Sequence, residues 1–270
     1  MTHKIFRLSV VFALPLLVTG CGDSTSGPAQ RPQIAVRFGL AASSVTPSVV
    51  QLQQQGRSVA TNLVVTGSNG TLNITNVSFI VSKIEMDCNS NDSDSLPSCA
   101  DFKAAPSFVK LPFGASGVVA ASANNIRAGV YTELEFKIKN LEDDEDDDAL
   151  EIAQTVALRT AIRAMHADFP DKASMIIEGT FTPVGSMTAV PFRTYFDAEI
   201  EVEMNLVPPL RVVESIASRS LSVDVQPALW LKRADGTVID LSKLDYSRTR
   251  SLLRFELEMR TGFRTVKIED

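Results

Sequence analysis

The sequence FDAEIEVEMNL, residues 196–206, alternates apolar and polar side chains along most of its length. Successive side chains of a β-strand point to opposite faces, so one face would carry Ala198, Ile200, Val202, Met204 and Leu206. The opposite face would carry Glu199, Glu201, Glu203 and Asn205. One apolar and one charged face are typical of a half-buried strand in an antiparallel sheet that has one side in water.

The same two-residue period recurs along the chain. In YTELEFKIK, residues 131–139, the apolar Leu134, Phe136 and Ile138 alternate with glutamate and lysine. Shorter stretches with this pattern lie at 34–40, 62–65, 77–86, 108–111, 174–181, 190–196, 220–231 and 238–241. Turn-forming residues separate several of them, at 68–70, 207–209 and 234–236. Many short strands and few helices predict a mainly β chain, folded as an antiparallel β-sandwich whose two sheets bury their apolar faces against each other.

Two segments depart from this period. Residues 149–166, ALEIAQTVALRTAIRAMH, are rich in alanine and leucine and predict an α-helix inserted between two strands. Its predicted buried face, at helical spacing, consists of Leu150, Ala153, Ala157, Ala161 and Met165. Residues 251–270 fit both a strand and a helix, and we favour a C-terminal helix on the spacing of Leu252, Phe255, Met259, Phe263 and Val266.

The start of the chain has the organisation of an export signal. Lys4 and Arg7 precede an apolar run over 8–18, which is too short to span a bilayer. The run ends in Val18-Thr19-Gly20-Cys21, which resembles the lipobox of bacterial lipoproteins, where a small residue precedes the lipidated cysteine.

The lipobox resemblance implies that residues 1–20 are a lipoprotein signal peptide and that the thiol of Cys21 carries the lipid. Acyl chains on this residue would anchor the protein in a membrane of the bacterial cell envelope. Gly22 rather than aspartate follows the cysteine, which implies the outer membrane if the host has two. Residues 21–33 are polar and predict a flexible tether, and 34–270 are predicted to form a single β-sandwich domain.

Several strand sequences resemble a family of predicted bacterial envelope lipoproteins whose domain has no assigned function. They are ITNVSFIVSKIEM (74–86), IRAGVYTELEFKI (126–138), SMIIEGTF (174–181) and VPFRTYFDAEIEVEMNLVPPL (190–210). The resemblance covers roughly residues 70–245 and implies a secreted β-sandwich with no established activity. It implies no functional residues.

Two cysteines remain once Cys21 carries lipid. Cys88 and Cys99 flank NSNDSDSLPS, a polar segment of turn-forming residues. Export would bring the mature chain into an oxidising compartment, where thiols tend to pair. We predict a disulfide between Cys88 and Cys99.

The acidic side chains cluster in LEDDEDDDALE, residues 141–151. Oxygen ligands at this density are a candidate Ca²⁺ site, formed by Asp143, Asp144, Asp146, Asp147 and Asp148. The EF-hand pattern counted from Asp144 fails, because Ala149 replaces its glycine and Thr155 its closing glutamate. The alternative is a hydrated, charged segment that caps the following helix. We expect no other cofactor.

Composition and motifs argue against several classes of function. Basic residues number 26 against 32 acidic ones and form no concentrated patch, so nucleic acid is not an expected partner. His166 is the only histidine after residue 20, and the sequence has no G-x-S-x-G, phosphate-binding glycine loop or HExxH motif. Sugar binding usually needs exposed rings, whereas Trp230, the lone tryptophan, is expected in the core.

These observations predict a non-enzymatic, lipid-anchored protein of the cell envelope whose sandwich is a binding or structural module. Its expected partners are the membrane, through the lipid, and an envelope protein or glycan. Two alternatives stay open. One is a hydrolase of envelope polymers, which would need two acidic residues facing each other in a cleft. The other is a surface adhesion module stabilised by Ca²⁺.

Overall fold

The computed structural model describes residues 33–41, 62–89, 99–113, 117–123, 126–142, 149–213, 218–255 and 261–269. The strands within these ranges are β1 (Gln33–Leu40), β2 (Leu63–Gly67), β3 (Gly70–Cys88), β4 (Phe102–Ala104), β5 (Ser107–Lys110), β6 (Val118–Ala123), β7 (Gly129–Ile138), β8 (Met175–Pro183), β9 (Val190–Ala198), β10 (Ile200–Val212), β11 (Ser218–Val225), β12 (Leu253–Phe255) and β13 (Phe263–Glu269). The α-helices are α1 (Ala149–Met165), α2 (Ala228–Leu231) and α3 (Tyr246–Thr249), and a 3₁₀ helix covers Leu241–Leu244. The prediction of a mainly β chain is confirmed.

The strands form two sheets. The small sheet has the order β13-β11-β1-β6, and the large sheet has the order β10-β7-β3-β8-β9-β12. Strands β2, β4 and β5 also pair with β3. The sheets are mixed rather than wholly antiparallel as predicted, because β1 runs parallel to β11 and β9 runs parallel to β12. Each of these pairs joins strands far apart in the chain, so no hairpin sets their relative direction.

Strand β3 organises the large sheet. Its first half pairs with β8 and its second half with β7, while β2, β5 and β4 line its other side in turn. In its centre both faces are buried: Phe79 belongs to the core between the sheets, and Ile80 belongs to a second cluster beneath α1. The strand is therefore longer and more deeply buried than the predicted 77–86.

Four phenylalanine rings join the two sheets. Phe38 of the small sheet contacts Phe79 and Phe136 of the large sheet edge to face, with ring centroids 5.6 and 5.1 Å apart. Phe263 of β13 lies 5.0 Å from Phe136 and 5.6 Å from Trp230. Edge-to-face aromatic pairs add about 0.5–1.5 kcal/mol each beyond the apolar area they bury. The alternating residues of both sheets thus meet in one aromatic core.

Helix α1 confirms the predicted helix, but its predicted buried face is wrong. Leu150 and Met165, at the two ends of that face, are 64% and 62% exposed. The helix instead packs through Thr155, Leu158 and Ile162. The outer face of the large sheet offers an apolar patch around Ile80 and Ile176, and a branched Ile162 fills it with more apolar area than alanines would.

The C-terminal helix predicted over 251–270 is wrong for the described residues, because 253–255 and 263–269 are strands. Strand β12 pairs with β9, and β13 pairs with β11 from Phe263 to Glu269. Thr265, Val266 and Ile268 are β-branched, which favours a strand. Pairing with β11 also supplies backbone hydrogen bonds that the local sequence does not reveal.

Three smaller predictions also change. The turn predicted at 207–209 lies inside β10. The strand predicted at 238–241 is reduced to one bridge between Val238 and Lys232, because the side chain of Asn69 bonds both the N–H and the C=O of Val238 at 2.8 Å. Trp230 is 2% exposed, as the core prediction required, but it lies in α2 rather than in a strand.

A buried carboxylate at Asp245 joins α3 to the large sheet. It is 8% exposed, accepts the backbone N–H of Arg193 on β9 at 2.9 Å, and accepts the N–H of Ser247 at 3.1 Å as the helix cap. Burial raises the pKa of Asp245, but the hydrogen bonds from Ser247 and from the Arg193 backbone outweigh it and leave the pKa below the usual range. The carboxylate thus stabilises the fold in its ionised form.

Replacing Asp245 with alanine should cost about 1–3 kcal/mol of unfolding free energy, because the N–H groups of Arg193 and Ser247 lose their acceptor. A lowered folded pKa gives stability that is present above the unfolded pKa, about 3.9, and is lost as the pH falls through the folded pKa. The unfolding free energies of the two proteins should therefore differ fully at pH 7, begin to converge near pH 4 and continue to converge as the pH falls further. Asp245→Asn, which keeps one oxygen, is the control, and a difference that grows on acidification would contradict the assignment.

Candidate functional site

A groove of about 590 Å³ runs between β10 and β13. Its β10 wall is lined by Val202, Glu203, Met204, Asn205 and Val207. Its β13 wall is lined by Phe263, Arg264, Thr265 and Val266. Its floor consists of the buried Val202 and Phe263 and the half-buried Met204 and Val266. The exposed Glu203, Asn205, Arg264 and Thr265 form its rim, so most of the exposed lining is polar.

Both walls of the groove are edge strands. Strand β10 ends the large sheet and pairs with β7 alone among the described residues, and β13 ends the small sheet beside β11. About half of the backbone N–H and C=O groups of an edge strand point away from its sheet. The groove therefore combines apolar side chains with backbone groups that can bond a further strand.

The free edge of β10 has a defined end. The strand pairs regularly with β7 from Ile200 to Asn205, and pairing resumes only at Leu210. Pro208 and Pro209 lie in the interruption and are exposed. Since proline has no N–H to donate, these residues limit any added strand to the part of β10 that precedes them.

Charged residues cross the outer face of β3, β7 and β10 in three rows. The rows are Lys83, Lys137 and Glu201; Glu85, Glu135 and Glu203; and Asp87, Glu133 and Asn205. These rows hold six carboxylates and two lysines. The face beside the β10 edge therefore carries an excess of negative charge.

The two lysines neutralise one end of this face. Lys137 Nζ lies 3.0 Å from Glu201 and 3.5 Å from Glu135, and its hydrogen bond holds the pKa of Glu201 below the usual range. At the other end burial, together with repulsion from Asp87 and Glu203, raises the pKa of Glu133. Negative charge is thus least compensated around Glu133 and Glu203.

A second cavity, of about 500 Å³, lies between the outer face of the large sheet and the start of α1. Lys83, Lys103, Lys137 and Lys139 line it, together with Glu142 and Glu151. Lys83 and Lys103 both pair with Glu85, at 2.5 and 3.1 Å. These ion pairs satisfy much of the positive charge, so the cavity is a weaker candidate than the groove.

Two carboxylates, Glu178 of β8 and Asp168 of the turn after α1, share the guanidinium of Arg193 on β9. Arg193 lies between them, bonding Glu178 at 2.6 Å and Asp168 at 3.4 Å. Glu178 also accepts from Asn76 at 3.0 Å, and Asp168 accepts the hydroxyl of the buried Tyr195 at 2.9 Å. Both acids are therefore engaged in a network that connects β3, β8, β9 and the turn after α1.

The predicted disulfide is confirmed. Cys88 at the end of β3 is bonded to Cys99, with Cα atoms 6.0 Å apart. The hydroxyl of the buried Tyr131 donates to the carbonyls of Ala100 and Arg127, and burial followed by the charge of Asp101 raises its pKa to about 12. The disulfide thus joins β3 to a locally ordered segment beside β7.

The other predicted site residues lie outside the described residues. They are the lipidation residue Cys21 and the candidate Ca²⁺ ligands Asp143, Asp144, Asp146, Asp147 and Asp148. In the ranges that the structure describes, no group of three or more His, Cys, Asp or Glu side chains is arranged to hold a metal ion. No helix in those ranges is both long and apolar enough to cross a bilayer.

The single histidine after residue 20, His166, follows the end of α1. It is half-buried after α1, with its ring 6.0 Å from that of Phe108 and 6.5 Å from that of Phe169. These contacts fit a packing role.

The groove was not predicted, although one signal for it was present. The period of 196–206 identified both faces of β10 from Ile200 onward, but it missed the break at Glu199, since residues 196–198 end β9. It also contains nothing about which strands would lie beside β10. Pro208 and Pro209 directly after this stretch were interpreted as a turn. Within a strand, two consecutive prolines instead indicate that the strand lies at the edge of its sheet. This was the sequence signal that could have located the groove.

Comparison of the chain with protein-family models, with curated proteins and with solved structures found no match.

Proposed function

We propose that this chain is a non-enzymatic, lipid-anchored protein of the bacterial cell envelope, and that its β-sandwich binds an envelope protein in the groove between β10 and β13. The observation that carries the proposal is the groove itself, an apolar floor between two strand edges that pair with no further strand in the described part of the chain. Backbone groups along a strand edge suit a polypeptide, which presents the same groups at the same spacing.

The aromatic residues favour a protein partner over a glycan. Among the described residues, the large apolar side chains that are exposed include no aromatic ring. Trp230 and Phe263, the rings nearest the groove floor, are 2% and 6% exposed. Stacking on sugar rings would need such side chains at the surface.

The position of the fold along the chain agrees with a lipid anchor at Cys21. The first strand of the described residues begins at Gln33, 12 positions after that cysteine. An extended linker of this length reaches about 40 Å, enough to hold the sandwich clear of lipid headgroups. We assign the protein to the outer membrane where the host has two, on the basis of Gly22.

A photocrosslinking experiment in living cells tests the proposed function. Benzoylphenylalanine replaces Val207, which lines the groove and is 86% exposed, or Val184, which is 73% exposed in the turn after β8 and does not line the groove. We expect adducts at position 207, with the crosslinked partner peptide identified by mass spectrometry, and none at position 184. Equal adducts at both positions, or none at 207, would contradict a binding groove.

The same cells test the anchor through Cys21→Ser. Loss of the modified thiol should abolish labelling by a fatty-acid analogue and should release the protein into the soluble fraction, because the acyl chains supply the membrane affinity. The adduct at position 207 should weaken at the same time. Unchanged labelling of the serine variant would exclude Cys21 as the lipid site.

A further inference from the structure

We propose that the edge of β10 over Ile200–Asn205 binds its partner by strand addition, and that the partner segment alternates apolar and basic side chains. The inference rests on the proposed function and specifies the chemistry of its ligand. Three features of the edge carry it: it pairs with no described strand on the side opposite β7, its inner face is apolar and its outer face is acidic.

An added strand would continue the large sheet and so present its own alternate side chains to the two faces of that sheet. On the inner side it would cover Met204, which is half-buried, and close the groove above Phe263 and Val266. Apolar side chains are required at these positions because the groove floor is apolar.

On the outer side an added strand would run beside Glu201 and Glu203, and its end would reach Glu199, the residue directly before β10. Glu201 already pairs with Lys137, but no lysine or arginine of the described residues lies within 4.0 Å of Glu199 or Glu203. Directly opposed charges on neighbouring strands stabilise when opposite and destabilise when alike. Lysine or arginine at alternate positions of the partner is therefore the matching pattern.

The same glutamates argue against a second copy of this chain as the occupant. Antiparallel pairing of two β10 edges would bring Glu201 and Glu203 of one copy, with Glu199 just before the strand, close to the same glutamates of the other copy. Outward charges of this kind commonly prevent edge strands from pairing with themselves. The edge is thus protected against self-association while remaining open to a basic strand.

Peptide binding to the full mature chain in detergent micelles tests the inference. The probe is a fluorescent ten-residue peptide of alternating valine and lysine, measured by anisotropy in low salt. Controls are an alternating valine and glutamate peptide and a valine-lysine peptide of the same composition in blocks of two. We expect binding of the first peptide only, weakening as salt screens the charges.

Charge reversal and backbone methylation separate the two parts of the inference. Glu199→Lys with Glu203→Lys should weaken binding about tenfold. Glu151→Lys with Asp171→Lys, which changes the net charge equally on and near α1, should leave it unchanged. Alternate residues of the bound peptide direct their N–H groups either to β10 or away from it. N-methylation of the odd-numbered residues and N-methylation of the even-numbered residues should therefore differ: one set should abolish binding and the other should not.

Several results would overturn strand addition to β10. These are equal binding of the glutamate peptide, no effect of the Glu199 and Glu203 reversal, or equal effects of both sets of N-methylation. Failure of every peptide to bind would indicate that the edge is already covered, and a dimer by sedimentation would identify a second copy as the cover. Crosslinking at position 207 without peptide binding would leave the proposed function standing and refute only this inference.

Discussion

Replacement of Phe38 by alanine is expected to lower the free energy of unfolding by about 3–5 kcal/mol. Its ring is fully buried and contacts Phe79, Phe136 and Phe263 edge to face. Phe38 and Phe263 are the small-sheet rings of that cluster, and Phe38 contacts both rings of the large sheet, so its removal leaves a cavity at the point where the two sheets meet. The substitution removes buried apolar surface and also the edge-to-face ring contacts, and both losses lower the free energy of unfolding.

Urea unfolding followed by the fluorescence of Trp230 measures the effect of Phe38→Ala. This residue is the only tryptophan in the chain and lies 5.6 Å from Phe263, so it reports on the same core. Phe38→Leu should cost less because it retains part of the volume. Val119→Ala, on the β6 edge of the same sheet and 48% exposed before substitution, should change stability by less than about 0.5 kcal/mol. A loss below about 1 kcal/mol for Phe38→Ala would contradict the packing of the two sheets through this ring.

Removal of the Cys88–Cys99 disulfide should cost about 2–4 kcal/mol, since the two residues close a loop with a sequence separation of 11. The paired variant Cys88→Ala with Cys99→Ala provides the measurement in urea without reductant. Reduction of the native protein should give a similar loss. Native stability that is insensitive to reductant would show that the bond does not form in the mature chain.

Gly129 gives a sharper test of the same contact. A Cβ on this residue would overlap the sulfur atoms of Cys88 and Cys99, so Gly129→Ala should destabilise the oxidised protein by a further 1–3 kcal/mol or so. In the variant without the disulfide, the same substitution should cost much less, because the smaller alanines leave room. The difference between the two values is the coupling energy of a double-mutant cycle. Equal costs in both backgrounds would contradict the close approach of Gly129 to the disulfide.

Local patterns were most informative where one face of an element was buried. The alternation at 131–139 and at 196–206 identified the buried side chains of β7 and β10, because a strand offers only two faces and the apolar residues occupy one. The disulfide followed from counting thiols. The α-helix over 149–166 followed from its composition, and its end was correct to one residue.

Patterns failed where two arrangements satisfied the same local preference. Helix α1 has apolar residues on the predicted face with Leu150 and Met165 and also on the face with Leu158 and Ile162. Packing against the sheet buried the second face. Residues 253–255 and 263–269 fit both the helical and the strand period. For residues 263–269, backbone pairing with β11 decided in favour of the strand. The prolines at 208 and 209 signalled an interruption, but whether it was a turn or an edge depended on the absence of a neighbour.

The order of side chains was enough to predict a mainly β chain, the two faces of its strongest strands, the inserted helix and the pairing of Cys88 with Cys99. Each of these follows from neighbours within a few residues or from a simple count. The groove between β10 and β13 required the full strand order, because an edge is defined by which distant segments pair and which do not. Pairing between strands far apart in sequence is a long-range property, so the candidate site emerged only when the two sheets were assembled.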